Sequence, residues 1–120
     1  MVATRFPRSV YGAGKEPDAR FSLANERTFL AWVRTAVALI AAGVALEALA
    51  LPLQPSLRLA ASVVLIVLGL AVTIASYAGW ARAEKAMRRG TELPASIALI
   101  VLVAGVAVAG VLVLLAVVLR

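Results

Sequence analysis

Asn25-Glu26-Arg27-Thr28-Phe29-Leu30-Ala31-Trp32-Val33-Arg34 opens the first long apolar run of a 120-residue chain, and no charge but Glu47 follows before Ala50. Arg34 therefore sits inside a hydrophobic segment, seven residues after Arg27. A guanidinium there is costly, at roughly 2.5–3.5 kcal/mol or more near a bilayer centre and less toward its edge. Such a residue snorkels, pairs, or faces a wet interior.

The rest of the chain fits a membrane protein. It is 63% hydrophobic with a mean hydropathy of +1.00, too apolar for a soluble domain that must cover itself with polar surface. Three spans follow: about 29–50, 59–80 and 95–119. Pro52 and Pro55 break the chain after the first span, and Gly90 to Pro94 precede the third. Each span is near the ~20 residues needed to cross ~30 Å of hydrocarbon. Continuous apolar runs exclude barrel strands, which alternate. The fold class expected is all-α integral membrane, with three transmembrane helices. Ser22 is a candidate N-cap, so the first helix begins before the hydrocarbon, at the cytoplasmic headgroups. Residues 1–21 show no period and are expected to form a flexible basic tail; residues 22–120 form the transmembrane domain.

Orientation follows from basic residues. Arg5, Arg8, Lys15, Arg20 and Arg27 lie before or at the start of span one, and Arg82, Lys85, Arg88 and Arg89 follow span two; the first connection has only Arg58. This bias puts the N-terminus in the cytoplasm and the C-terminus outside. Phe29, Trp32, Tyr77 and Trp80 fall at the same ends of their spans, as an interfacial belt does.

Chemistry is restricted. There is no histidine and no cysteine, which removes the commonest general base, the commonest metal ligand and all thiolate sites. No phosphate-binding loop, paired carboxylates or nucleophile–base pair is present. Neither an enzyme nor a cofactor is expected. The net charge of +6 follows membrane topology rather than nucleic-acid binding.

On a helix, Arg27, Ala31, Arg34, Ala38, Ala41 and Ala45 share one stripe, with Asn25, Phe29, Trp32, Leu39 and Gly43 roughly opposite. Small residues also recur at Ala71, Ala75 and Gly79, and at Gly105 and Ala109. The stripe either packs in an ordinary bundle or borders a narrow central path. Arg34 either snorkels, pairs with Glu26 of a neighbouring helix or with Glu84, or lines an anion path. Lys85, Arg88 and Arg89 suit lipid headgroups or an anion. Glu47 is most simply an interfacial charge.

Phe21-Ser22-Leu23-Ala24-Asn25-Glu26-Arg27-Thr28-Phe29-Leu30-Ala31-Trp32 resembles the signature of the YidH-like membrane proteins (DUF202), and of the three-helix membrane module of the eukaryotic vacuolar transporter chaperone, which makes polyphosphate and passes it across a membrane. The resemblance runs from about residue 20 to the C-terminus. It implies a bacterial inner-membrane protein forming a cyclic homo-oligomer: a pentamer by likeness to the eukaryotic complex, with trimer and tetramer open. It implies a basic cytoplasmic vestibule of Arg20, Arg27 and Arg82, with Glu26 in a supporting salt bridge. Arg34 has no counterpart in that likeness and joins the vestibule on its own position. The functions expected are an oligomeric pore or transport module for an anion such as polyphosphate or phosphate, or a non-conducting subunit that binds anionic lipid or a partner. No polymerase domain accompanies the motif on this chain.

Overall fold

A computed structural model of the chain describes residues 5–120. It contains a short helix α1 (Arg8–Tyr11) and three long ones, α2 (Ala19–Ala48), α3 (Pro55–Arg89) and α4 (Ile97–Val118). The described residues contain no strand. Each long helix is long and apolar enough to cross a membrane. At 1.5 Å per residue α3 is about 52 Å long, well beyond the ~30 Å of hydrocarbon, so its last turns stand outside.

The helix starts have local causes. Asp18 caps α2 by accepting from the Arg20 N–H at 2.9 Å. Ser22, expected as that cap, lies one turn inside the helix instead. Gln54 accepts from the Leu57 N–H at 2.7 Å, with Pro55 just after it where a missing N–H costs nothing. Ser96 caps α4 through the Leu99 N–H. Gly90 closes α3.

α3 is the central element: α2 and α4 each pack against it. The α2–α3 seam is close because two glycines cross it. A Cβ on Gly43 would lie 2.8 Å from the Ser62 carbonyl oxygen, and one on Gly69 2.8 Å from that of Ala36. Ser62 Oγ donates to the Gly43 carbonyl at 2.6 Å, an interhelical bond shielded from competing water. Ala36, Leu68 and Val72 form the small buried centre, with Trp32, Leu39, Val101 and Leu102 packed around it. At the far end Arg58 holds Glu47 at 3.1 Å and the Leu51 carbonyl at 2.6 Å. Glu47 thus has an intrachain partner at that end of the bundle.

The segment before α2, expected to be a mobile tail, makes defined contacts over its described part. Val10 is fully buried, and the Lys15 N–H donates to the Arg88 carbonyl at 2.8 Å. This strap lies against the basic end of α3.

Candidate functional site

The signature on α2 has two faces with different work. The inward face meets α3. Asn25 Nδ2 donates to the Trp80 carbonyl at 3.0 Å and to Glu84 Oε1 at 3.4 Å, while Ser22 Oγ donates to Glu84 Oε2 at 3.3 Å. Phe29 stands near Tyr77 and Trp80, ring centroids 6.4 and 6.5 Å away. The outward face carries Arg27 and Arg34, both exposed; Glu26, also exposed, lies between the two faces beside Phe29, Tyr77 and Trp80.

Glu84 is only 2% exposed. Its carboxylate is satisfied by two neutral donors, and among the described residues no cation forms an ion pair with it. A pairing with Arg34 is ruled out by geometry: Glu84 faces the inward side of α2, and Arg34 projects from the opposite side. Glu26 likewise pairs with no cation among the described residues.

The basic end of α3 is not uniformly exposed. Arg88, expected to touch lipid or an anion, is buried under the strap. Its Nε donates to the Ala13 carbonyl at 2.8 Å and its Nη2 to the Tyr11 carbonyl at 2.7 Å. Its Nη1 has no hydrogen-bond partner and lies 3.9 Å from Glu16. Glu16 is bound more closely by Arg5, at 2.7 Å. The Arg5 and Arg88 guanidinium groups stand 4.4 and 5.5 Å from the Tyr11 ring centroid, within cation–π range. Tyr11 meets the edge of Trp80. The Arg5 hydrogen bond, with the positive charges of Arg5 and Arg88, holds the Glu16 carboxyl below its usual range against a smaller opposing effect of burial.

The other basic residues are dispersed. Arg20 is exposed and bonded to Asp18 at 3.1 Å. Arg27, Arg34, Arg82 and Arg89 are exposed and Lys85 is half-buried. Arg82 lies about 200° from Glu84 around α3, so it points away from α2 and from the Arg27–Arg34 face. Within one chain the four expected vestibule arginines do not converge. No group of three or more potential metal ligands occurs among the described residues.

Three apolar helices, α2 and α4 packed against a central α3, with aromatic rings and basic charge gathered at one end, define a small three-span helical membrane protein. The chain belongs to the family described as Domain of unknown function (DUF202), whose profile matches residues 20–86. That match takes in Ser22, Asn25 and Glu84, and leaves out the strap and α4. The chain is 45% identical over 103 residues to the inner membrane protein YidH of Escherichia coli K12, covering 81% of this chain and 90% of that protein. It is 50% identical over 80 residues to the uncharacterized protein Rv2272 of Mycobacterium tuberculosis H37Rv, covering 66% of each. No solved structure matches.

Proposed function

We propose that copies of this chain assemble around an axis along the membrane normal, and that the assembly is a pore or transport module for an anion such as polyphosphate. One observation carries the reading. Arg27, Ala31, Arg34, Ala38, Ala41 and Ala45 are exposed along α2, and they point about 180° away from the face that Asn25, Phe29, Ala36 and Gly43 turn to α3. In a lone three-helix unit this face meets lipid, the costliest surroundings for Arg34. Its alanines let neighbouring helices approach closely. Cyclic assembly takes the arginines out of lipid and gathers several guanidinium groups, which suit phosphate by bidentate hydrogen bonding. The likeness of the signature to the vacuolar transporter chaperone module supports the same reading.

The direction of Arg82 favours a second reading, a non-conducting subunit whose arginines hold anionic lipid or a partner. Purified protein in liposomes discriminates the two. Under the lead reading the wild type passes polyphosphate or phosphate, and Arg27→Ala and Arg34→Ala weaken anion binding while the oligomer persists. That weakening shrinks as salt rises, because exposed charges are screened. A wild type that passes no anion, with arginine variants that only misassemble, establishes the subunit reading.

A further inference from the structure

Between α2 and α4, at the basic end, the bundle opens into a cleft of about 330 Å³. Phe21, Phe29 and Trp32 form its α2 wall, Gly79 and Trp80 its α3 floor, and Leu93 the edge leading to α4. Its few polar side chains are already engaged: Thr28 Oγ1 donates to the Ala24 carbonyl, Asn25 Nδ2 to that of Trp80 and Ser76 Oγ to that of Thr73, and Ser96 Oγ accepts from the Leu99 N–H. The surface left to an occupant is therefore apolar and aromatic. We propose that this cleft holds one acyl chain of an anionic phospholipid from the leaflet at the basic end.

Size and place select that occupant. A small apolar pocket with few polar groups is the form taken by small-molecule sites, at roughly 300–1,000 Å³. The cleft runs beside Phe21 to Trp32 of α2, about 16 Å at the helical rise. A transmembrane helix with its side chains is about 10–12 Å across. A single extended hydrocarbon chain is slimmer, and one rising from the bilayer meets the cleft at its Trp32 and Ala98 end, where the apolar spans begin. Its headgroup then lies at the end of the bundle that carries Arg20, Arg27, Arg82, Lys85 and Arg89, whose positive charge favours an anionic lipid.

The protein carries its own probes. Its two tryptophans, Trp32 and Trp80, both line the cleft. A Cβ placed on Gly79 meets nothing within 4 Å, and Gly79 lines the cleft, so Gly79→Leu puts a bulky side chain where the acyl chain would lie. Gly110 has the same open space outside the cleft, and Gly110→Leu is the matched control. The full chain is reconstituted in mixed phosphatidylglycerol–phosphatidylcholine vesicles in which one of the two lipids carries brominated acyl chains, and tryptophan emission is read. Brominated phosphatidylglycerol should quench the wild type and Gly110→Leu strongly, and more than brominated phosphatidylcholine does. Gly79→Leu should lose most of that quenching. Native mass spectrometry should show phospholipid retained by the wild type and lost from Gly79→Leu; Ala83, on the same α3 floor, gives Ala83→Leu as a second variant should Gly79→Leu fail to fold. Equal quenching of wild type and Gly79→Leu overturns the proposal, because the tryptophans then sense only surrounding lipid. So does an unquenched wild type whose cleft-lining cysteine variants cross-link two copies, since a second chain then occupies the cleft. Equal quenching by the two lipids overturns the anionic preference.

Discussion

Asn25 and Glu84 show how one motif residue fixes two helices. Asn25 reaches across to a backbone carbonyl and a buried carboxylate, and Ser22 supplies that carboxylate's other contact. Leaving such buried groups unpaired costs about 1–3 kcal/mol each. Asn25→Ala should therefore lower the thermal stability of the purified protein in detergent by an amount of that order. Glu84→Gln keeps a carbonyl acceptor and the side-chain shape, so its loss should be smaller than that of Glu84→Ala. If Gln and Ala were equally destabilising, the carboxylate charge rather than its acceptor geometry would matter. That Asn25, Phe29 and Trp32 share a face opposite the arginine stripe was legible in the sequence, because helical spacing alone sets it; that this face meets α3 was not. The Glu84 contacts were not. A glutamate among Arg82, Lys85 and Arg88 has cations near it in sequence, and only the docking of α2 shows that its partners are a serine and an asparagine some sixty residues away.

At the scale of elements, the three apolar runs declared themselves because hydropathy needs no knowledge of tertiary contacts. Their limits did not. α3 continues nine residues past Trp80 to Arg89, since helix formation persists after the apolar pattern stops, and Gly90 ends it. The strap was hidden for a related reason. Its contacts depend on Arg88, more than seventy residues away, and no local period announces them. Gly14 is its tightest point: at φ +50° it favours glycine, and any Cβ there would overlap the Arg88 carbonyl. Gly14→Ala should free the strap, read as lost hydrogen-exchange protection at the Lys15 amide. Acid should do the same. The folded state depresses the Glu16 carboxyl, chiefly through the Arg5 hydrogen bond. Its contribution is present above the ordinary glutamate value of about 4.3 and is lost as pH falls through the lower folded value. Protection at Lys15, corrected for intrinsic rate, should drop below about pH 4 in the wild type. In Glu16→Gln it should be weaker throughout and flat with pH. A wild type that keeps full protection at pH 3 would separate the strap from Glu16.

For the whole molecule, an odd number of spans has a consequence that packing alone cannot give. α2, α3 and α4 run alternately up and down, each long enough to cross hydrocarbon, so the two termini emerge on opposite sides. The strap and the α3–α4 connection share one end, because Lys15 and Arg88 touch. The α2–α3 connection and the end of α4 share the other, because the Gln54 N–H donates to the Ala116 carbonyl at 3.0 Å. Which end faces the cytoplasm rests on charge: Arg8, Lys15, Arg20, Arg82, Lys85 and Arg89 gather at the first, while Arg58, bound to Glu47, and Arg120 lie at the second. The positive-inside bias predicts a cytoplasmic first end. The chain lacks native cysteine, so single cysteines at Ser9, Ser56, Thr91 and Leu119 can be labelled against an empty background. In intact cells an impermeant thiol reagent should modify positions 56 and 119 and spare 9 and 91 until the membrane is opened. The reverse pattern would keep the three-span fold and invert its orientation. Labelling of 119 together with 9 and 91 would break the three-span topology, and with it the proposal that Arg27 and Arg34 line a cytoplasmic vestibule.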